Sequence, residues 1–420
     1  MAEVASGWTV DASGRLRRET VHSMKRRCRD WDYRSRCIYM ITVELADRRS
    51  KALGRLLVAD GEGRWVEPAA AKALGLKPEE VRAKVELSEL GEIVVACWNE
   101  IHKQWPGVST LGCQVMPDHF HGLIFVEKRQ VKTLGNIIGS FKSKSASRIK
   151  ALAERAEPHA ARYGTAGASC SSPRAAKFWA DGFVDTIIWR DGQLKAETDY
   201  LADNPYRLAV KTLFPELFRV VGELAVALPG LGPEATGRFA ALGNRFLLRR
   251  PLAQVQVSRS HFRYRREPKP GGGLKIIRDA KGEPVAELET AEYRERKADL
   301  FAAAKHGAVL LSPCVSDGER QIAHEALSAK LKLITMANKG FSKLQKPSGR
   351  YFDACAEGRL LMLAPAAWPH QPGEKPMTRF DATAMNRLCQ WIAGEDAAEI
   401  NYHGMKPENI DALACAAAKV

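Results

Sequence analysis

The sequence predicts an α+β sheet domain followed by an α/β domain with a parallel sheet. In the first half, runs rich in β-branched and aromatic residues are separated by amphipathic helical segments, as in a compact α+β domain. In the second half, apolar strand-like runs alternate with helical stretches, which indicates parallel strands covered by helices. With 420 residues the chain is long enough for two domains, each with its own core.

Each element of the first half is predicted from its local pattern. Turn residues Pro117 and Asp118 separate two of the strands, and the last helix is expected to end or bend near Asn204-Pro205. The predicted strands are 37–43, 54–58, 110–116, 119–126 and 178–189, and the predicted helices are 78–104, 134–152 and 192–210.

A shift to Gly, Pro and Ala divides the chain. We therefore expect a first domain at 1–221, a Gly/Pro-rich linker at 222–238 and a second domain at 239–420. Within the second domain, the predicted strands are 253–257, 308–312, 331–336 and 360–364, and the predicted helices are 292–305, 319–330 and 382–394.

Composition narrows the class of partner. The formal net charge of +15 and the pI near 9.4 favour a polyanion such as nucleic acid, because neutralised phosphates release condensed counterions. A protein that is merely basic would look the same. Nine cysteines without a Cys-x-x-Cys pair indicate neither a zinc ribbon nor a disulfide framework. No secretory signal and no apolar run of about 20 residues is present, so we expect a cytoplasmic protein without a membrane partner.

A His-x-His pair is the first chemical signal. His119 and His121 are two residues apart on a predicted strand, whose period of two puts both imidazoles on one face and Phe120 on the other. Two neutral imidazoles side by side can bind a divalent metal and leave positions for water or phosphate oxygens. A pair of ordinary surface or core histidines has the same pattern.

The second signal lies on the predicted helix 192–210. Tyr200 and Asn204 are four residues apart, so one helix face presents a phenol and a carboxamide together. A tyrosine is a useful nucleophile toward a phosphodiester, because the phosphotyrosine ester conserves the energy of the broken bond. A tyrosine with its ring on the core is the ordinary alternative.

In this order the motifs resemble those of the HUH single-tyrosine transposases, which include insertion-sequence enzymes and relatives associated with repetitive extragenic palindromes. The resemblance covers about residues 25–215. Asp118 stands where asparagine is commoner in the family, and the long loop before Phe178 and the C-terminal extension also depart from it. The matching segments are Trp31–Arg36, the Met-Pro-x-His-x-His turn and strand, the Phe-Trp strand ending in Asp185-x-Ile-Ile, and Tyr-x-x-x-Asn-Pro at 200–205.

This resemblance implies a ferredoxin-like α+β HUH nuclease domain that nicks and transfers single-stranded DNA at hairpins or palindromes. It implies Tyr200 as the nucleophile, which forms a 5′-phosphotyrosine, and His119 and His121 as ligands of Mg²⁺ or Mn²⁺. Asn204 takes the place of the third metal-coordinating side chain. The implied partner is single-stranded or hairpin DNA. The resemblance leaves the oligomeric state open, with a homodimer as one candidate.

Two other functions share part of the pattern. A non-catalytic DNA-binding regulator could keep the fold, although binding alone requires neither the histidines nor Tyr200 and Asn204. A replication initiator or relaxase shares the His-x-His chemistry, but such proteins usually place the tyrosine differently and add a helicase or primase signature. The sequence contains no Gly-x-x-x-x-Gly-Lys-Ser/Thr motif.

Basic residues of the first half are candidates for contacts with the DNA backbone. Arg34 and Arg36 alternate with aromatic residues before the first predicted strand, a mixture suited to phosphate binding with base stacking. Lys142 and Lys144 lie on the predicted helix 134–152, where they could contact phosphates or simply be solvated.

Residues 239–420 have a fainter resemblance to the Rossmann-like domain of DNA-processing protein A, carried by Gly307–Gly318 and by Ala323–Leu327. It implies an α/β Rossmann-like domain whose strand-to-helix turn binds a phosphate. The loop residues would be Ser316, Asp317 and Gly318. Pro313 supplies no amide proton where glycine is usual, so a structural domain, or a module that binds single-stranded DNA or a partner, is an equal alternative.

Overall fold

The structure is a computed structural model that divides into two compact units. It describes residues 31–162, 177–268, 273–280, 282–373, 375–394 and 405–420 and two short strands before them. The first unit comprises Met1–Leu76 and Val81–Ala209, and the second comprises Lys77–Glu80 and Val210–Val420. Among the described residues, no helix combines the length and apolar character that crossing a bilayer would require.

The first unit mixes helices with antiparallel strands. Its strands are β1 (Trp8–Val10), β2 (Leu16–Arg18), β3 (Cys37–Glu44), β4 (Gly54–Ala59), β5 (Trp65–Val66), β6 (Ala83–Leu87), β7 (Val108–Met116), β8 (His119–Val126) and β9 (Val184–Ile188). Its helices are α1 (Pro68–Ala73), α2 (Glu89–Asn99), α3 (Ile101–Gln104), α4 (Leu134–Arg162) and α5 (Gln193–Leu213), the last of which runs on into residues of the second unit.

A four-stranded sheet forms the centre of the first unit. Its strands lie in the order β7-β8-β3-β9, and every neighbouring pair is antiparallel. In chain order β3 is followed by an insertion that contains β4, β5, α1 and β6, and then by α2, the short α3, β7, β8, α4 and β9. Apart from the insertion and α3, one helix precedes β7 and another follows β8. A separate three-stranded sheet has the order β5-β4-β6, and β1 pairs with β2.

Three buried aromatic rings join the central sheet to its helices. Trp98 from α2 lies 4.9 Å from Phe120 of β8 and 5.3 Å from Phe141 of α4, measured between ring centroids. Gly122 makes room for this packing, since a Cβ there would lie 2.4 Å from Cζ2 of Trp98. The core side of β8 is therefore packed around the rings, and the alternate residues of the strand face away from them.

Two predicted elements of the first unit, the helix 78–104 and the strand 178–189, differ in type or length from the structure. Residues 83–87, predicted as part of a helix over 78–104, form β6, whose alternating burial matches its pairing with β4. The helix α2 begins only after Ser88, whose hydroxyl accepts a hydrogen bond from the Gly91 amide. The predicted strand 178–189 is reduced to β9, because a turn with a positive φ at Gly182 precedes it.

Other differences concern α4 and α5. Pro205 lies inside α5, which continues to Leu213 instead of ending there. Buried apolar residues such as Leu201 and Ala209 keep one face of this helix packed. The long segment before Phe178 is in part an extension of α4 to Arg162, and residues 163–176 lie outside the described residues.

The second unit is built around a larger mixed sheet. Its strands are β10 (Val221–Ala227), β11 (Thr236–Gly243), β12 (Leu252–Gln254), β13 (Phe262–Tyr264), β14 (Arg266–Pro268), β15 (Leu274–Ile276), β16 (Ala286–Glu289), β17 (Val309–Ser312), β18 (Leu333–Met336) and β19 (Leu360–Pro365). Its helices are α6 (Ala291–Lys305), α7 (Asp317–Ser328), α8 (Gly349–Ala356), α9 (Arg379–Ala393) and α10 (Pro407–Ala418).

Six strands of the second unit lie in the order β10-β11-β19-β18-β17-β12. The last four are mutually parallel and correspond to the four apolar runs of the sequence, whereas β11 and β10 add an antiparallel edge. The predicted helices 292–305, 319–330 and 382–394 correspond to α6, α7 and α9.

The expected linker at 222–238 is not a linker in the structure. Its residues form most of β10, a turn and the start of β11, an antiparallel hairpin within the six-stranded sheet. Val226 and Leu228 are buried in the core of the second unit. Gly and Pro are concentrated in residues 228–235, which connect the two strands, so the composition is that of a connection between paired strands.

Candidate active site

The two histidines lie at the start of β8, directly after the Pro117-Asp118 turn. In the antiparallel register Glu44 lies opposite His119 and Thr42 lies opposite His121. Phe120 between them is fully buried on the core side of the strand. Strand alternation therefore places both imidazoles on the other face of the sheet.

The imidazoles converge through their Nε2 atoms. Nε2 of His119 lies 3.0 Å from Nε2 of His121, and the ring planes are 85° apart. Two nitrogens at about 2.1 Å from one divalent ion and about 90° apart would be separated by about 3.0 Å. The spacing therefore fits two adjacent ligands of one ion, and it equally fits a hydrogen bond between two neutral imidazoles.

The hydrogen-bond partners of the two Nδ1 atoms help to determine which ring nitrogen of each histidine carries the proton. Nδ1 of His119 lies 2.6 Å from Oδ1 of Asp118, and an ionised carboxylate can only accept a hydrogen bond. His119 must then carry its proton on Nδ1, so the neutral ring has a lone pair on Nε2. Nδ1 of His121 lies 2.8 Å from the Thr42 hydroxyl, which can donate or accept. Such outer partners orient the ring of a metal-bound histidine.

Asp118 is held in its ionised form from two sides. Burial alone would raise its pKa, but the hydrogen bond from His119 and the Arg48 guanidinium outweigh it and lower the pKa to about 2. Arg48 lies 2.7 Å from Oδ2 of Asp118 and 2.9 Å from the carboxylate of Glu44. An ionised Asp118 is therefore the partner of His119 throughout the physiological range of pH.

His121 is neutral at physiological pH. Its side chain is 6% exposed, and burial, followed by the proximity of His119, lowers its pKa to about 3. Only the neutral imidazole has a lone pair for a metal. His121 is thus in the protonation state that a ligand needs without any further change.

Tyr200 on α5 lies beside this pair. Its ring centroid is 5.7 Å from that of His121, and the ring planes are 70° apart. The side chain is 37% exposed, so the phenol is open to a substrate from the solvent side. The guanidinium of Arg207, seven residues further along the helix, lies 5.5 Å from the Tyr200 centroid. A phenol, two convergent imidazoles and a guanidinium thus lie close together.

Asn204 lies one helical turn after Tyr200 and is 7% exposed. Its amide nitrogen donates to the Tyr200 carbonyl at 2.9 Å, which leaves the amide oxygen as the only atom of the side chain that could bind a metal. The described residues contain no group of three His, Cys, Asp or Glu side chains that could hold an ion. Among the residues that the structure describes, a third protein ligand would therefore have to be a side chain of another type, such as the Asn204 amide.

The four basic residues singled out in the sequence contact other residues of the first unit. Arg34 pairs with Asp32 at 3.0 Å, and Arg36 stacks over the Phe125 ring at 5.1 Å. The Nζ of Lys142 donates to the carbonyls of Ala180 and Gly182 at 2.7 Å each. The Nζ of Lys144 pairs with the carboxylate of Glu100 at 2.7 Å.

Burial lowers the pKa of Lys142. Together with its two carbonyl partners, this half-buried environment gives Lys142 a structural role that sequence reasoning did not foresee. Lys144 shares Glu100 with Arg148, whose guanidinium lies 2.9 Å from the same carboxylate. Both ammonium groups therefore already have acceptors within the protein.

The loop of the second unit that was expected to bind a phosphate is occupied by a side chain of the protein itself. The amides of Val315 and Ser316 donate to Oε2 of Glu319 at 2.8 and 2.9 Å, and the Ser316 hydroxyl accepts from the Glu319 amide. Glu319 is 2% exposed, and burial raises its pKa. A carboxyl group of the chain thus lies where a phosphate was expected.

The other two loop residues also have internal roles. Asp317 is buried and accepts from the Tyr264 amide at 3.0 Å and from Arg266 at 2.7 Å. A Cβ at Gly318 would lie 2.4 Å from Cγ1 of Val257, so glycine serves close packing there. Ser316, Asp317 and Gly318 therefore form a capped helix start rather than an open anion site.

Sequence reasoning missed Thr42, Arg48 and Arg207. Thr42 could have been found from the strand register, because it lies directly opposite His121. Arg207 lies about two helical turns from Tyr200 and so shares its helix face. No local signal marks Arg48, which comes from the loop after β3.

No protein-family model and no curated protein matches the chain. Among solved structures, it is similar to a REP-associated tyrosine transposase bound to a REP hairpin, with 12% identity, a TM-score of 0.26, and coverage of 43% of this chain and 73% of that one. It is also similar to a candidate transposase from Deinococcus radiodurans R1, with 14% identity, a TM-score of 0.21, and coverage of 42% of this chain and 95% of that one. Both are described as transposases, and each likeness covers less than half of this chain.

Proposed function

We propose that the first unit is a metal-dependent nuclease of the HUH type that nicks single-stranded DNA and joins it to another strand. The observation that carries this proposal is the convergence of the His119 and His121 Nε2 atoms at 3.0 Å with the Tyr200 ring beside them. Binding of DNA alone would need neither a pair of neutral, convergent imidazoles nor an exposed phenol next to them.

In the proposed reaction, Oη of Tyr200 attacks the phosphorus of a phosphodiester and forms a 5′-phosphotyrosine. The bond from phosphorus to the 3′ oxygen breaks, the phenol proton is lost to solvent at the exposed side of the ring, and the leaving oxygen takes up a proton. Attack by the 3′ hydroxyl of another strand reverses these changes and reseals the backbone. A bound Mg²⁺ or Mn²⁺ would polarise the scissile phosphate and stabilise charge on the leaving oxygen.

The residues around this centre have separate tasks. His119 and His121 would hold the ion, with Asn204 contributing its amide oxygen as a third ligand. Asp118 and Thr42 orient the two rings through their Nδ1 atoms. Arg207, close to the Tyr200 ring, adds positive charge where a phosphate would enter.

The topology of the first unit supports the finer proposal of a ferredoxin-like domain. With the insertion β4–β6 and the short α3 set aside, its strand–helix–strand–strand–helix–strand order and the sheet order β7-β8-β3-β9 match a split βαβ arrangement. In this arrangement β3 and β8 are neighbours at the centre of the sheet. The two histidine ligands would lie on β8 of this pair, and both Asn204 and the nucleophile on the helix after β9. We propose DNA hairpins or palindromes as the substrate, and a transposase or a domesticated transposase as the biological type.

Covalent capture tests the proposal directly. A labelled hairpin oligonucleotide with Mn²⁺ should give a protein–DNA adduct that survives a denaturing gel, and Tyr200→Phe should abolish the adduct but leave DNA binding nearly intact. Tyr206→Phe is the matched control, since it makes the same change on the same helix. A non-catalytic DNA-binding regulator would form no adduct with the unaltered chain, and an undiminished adduct in Tyr200→Phe would eliminate Tyr200 as the nucleophile.

A further inference from the structure

A basic cavity in the second unit has no part in the proposed nuclease chemistry. It has a volume of about 690 Å³ and opens beside β10, the short helical turn Arg245–Arg249 and the start of β12. None of its described lining residues is acidic. We call it the arginine cavity, after Arg245, Arg249 and Arg250 in its wall.

The three arginines are available to an anion. Each is exposed, and none of the described ion pairs of the chain engages Arg245, Arg249 or Arg250. Guanidinium groups bind phosphates through paired donors in a fixed plane. Three of them around a concave wall whose described lining residues include no carboxylate create a local positive potential that attracts a polyanion.

Phe246 adds a flat apolar surface to the same wall. Its side chain is 67% exposed, which is unusual for a phenylalanine, and the Arg249 guanidinium lies 5.2 Å from its ring centroid. Residues three apart overlie one another in a 3-10 turn, so this pairing follows from the local backbone. Small side chains, those of Ala225, Ala227 and Ala393, leave space in the rest of the cavity.

The turn that presents Phe246 is anchored at its start and in its middle. The Asn244 side chain accepts a hydrogen bond from the Phe246 amide at 3.1 Å and donates to the Gly358 carbonyl at 2.7 Å. Leu247, the next residue, is 2% exposed and belongs to the core. The ring is therefore held outward by a fixed backbone, so little conformational entropy would be lost when a ligand stacks on it.

We propose that the arginine cavity binds a single strand of nucleic acid, with backbone phosphates on the arginines and a base stacked on Phe246. Cationic groups combined with an exposed aromatic ring are the arrangement by which proteins bind unpaired strands without sequence preference. An acidic peptide would use the arginines but would have no need of the exposed ring. Single-stranded DNA and RNA share the required chemistry.

The first test measures binding by the full chain in EDTA, so that metal-dependent cleavage does not interfere. The probes are labelled oligo-dT and oligo-rU of about 12 nucleotides. The variant R245Q/R249Q/R250Q should bind about tenfold more weakly and should lower the slope of log affinity against log salt by about 2, as expected for three lost phosphate contacts. R263Q/R265Q/R294Q, which removes three other exposed arginines of the second unit, should cause a much smaller loss. Equal losses in the two triple variants would overturn the proposal, because bulk charge would then explain both.

The second test locates the contact. Oligonucleotides with 5-iodouracil should photo-cross-link to Phe246 within the peptide that spans the turn, and Phe246→Leu should weaken binding about fivefold or more without changing the salt slope. A preference for oligo-dT or oligo-rU would identify the sugar. Cross-links confined to the first unit, or full competition by an acidic peptide without any effect of Phe246→Leu, would contradict the proposal. Neither result depends on Tyr200, so failure here leaves the covalent-capture experiment unaffected.

Discussion

Asp118 and His119 are adjacent in the chain, and the carboxylate of the one lies 2.6 Å from Nδ1 of the other. This contact fixes which nitrogen of His119 carries the proton and leaves its Nε2 facing His121. The same carboxylate binds Arg48, so a single turn residue links the imidazole pair to the loop after β3.

Asp118→Ala should weaken binding of Mn²⁺ by about 10–100-fold, the usual effect of removing an outer partner of a metal-bound histidine. Asp118→Asn should retain most of the affinity, because the amide oxygen can still accept the proton of His119 Nδ1. Isothermal titration with Mn²⁺ measures both. Glu44→Ala is the control, since it removes the other carboxylate that Arg48 binds. Equal affinities in Asp118→Ala and Glu44→Ala would show that Asp118 does not act through His119.

His119→Ala and His121→Ala should each abolish nicking at limiting Mn²⁺ and leave the fold intact, because the core side of β8 is formed by other residues. Nicking of a labelled hairpin and Mn²⁺ titration are measured on the same preparations. His102→Ala on α3, an exposed histidine, should behave like the unaltered chain. Normal nicking by either site variant would remove the histidines from the metal site.

Gly122→Ala should destabilise the first unit by about 1–3 kcal/mol, the usual cost of overpacking a core. The added Cβ would meet the rigid indole of Trp98 at 2.4 Å. Gly139→Ala, on α4 with nothing within 4 Å of the added atom, should instead stabilise by about 0.5–1 kcal/mol. Urea denaturation followed by tryptophan fluorescence compares the two. A Gly122→Ala midpoint at or above that of the unaltered chain would show that Trp98 yields easily.

Lys142→Met should lower stability by about 1.5–3 kcal/mol, because each hydrogen bond from a charged group contributes on that order. The salt dependence of DNA binding should hardly change, since the ammonium is bound to the carbonyls of Ala180 and Gly182. Lys150→Met on the same helix, where the lysine is exposed, should leave the stability unchanged. A salt slope lowered by about 0.7 with unchanged stability would instead make Lys142 a phosphate contact.

Much of the first unit follows from local patterns, and the exceptions have physical causes. The helix α4 and the strands β7 and β8 are predicted because their periodicities are long and distinct. The stretch Ala83–Leu87 was mistaken for helix because its apolar residues also fit helical spacing, and only pairing with β4 decides between the two. The hairpin at 222–238 was mistaken for a linker because composition does not distinguish a turn between paired strands from an unpaired segment.

In the candidate site, likewise, some relationships between residues follow from local sequence and others depend on the tertiary fold. Strand alternation alone places His119 and His121 on one face, so their proximity is encoded locally. The approach of Tyr200 to His121 depends on how α5 packs after β9, and the contacts of Arg48 and Thr42 depend on which strands pair. These are non-local relationships, and in the sequence only the resemblance to a family brought the tyrosine and the histidines together.

The Thr42 hydroxyl, which can donate to or accept from Nδ1 of His121, allows the neutral histidine pair two tautomeric arrangements. When Thr42 donates to Nδ1 of His121, that ring carries its proton on Nε2 and can donate it to His119. When Thr42 accepts, the proton moves to Nδ1 and both Nε2 lone pairs point inward. The two arrangements hold the same number of protons and the same positions of the heavy atoms. Binding of a divalent ion by the neutral pair should therefore release no proton, and its calorimetric enthalpy should then be the same in buffers of different ionisation heat.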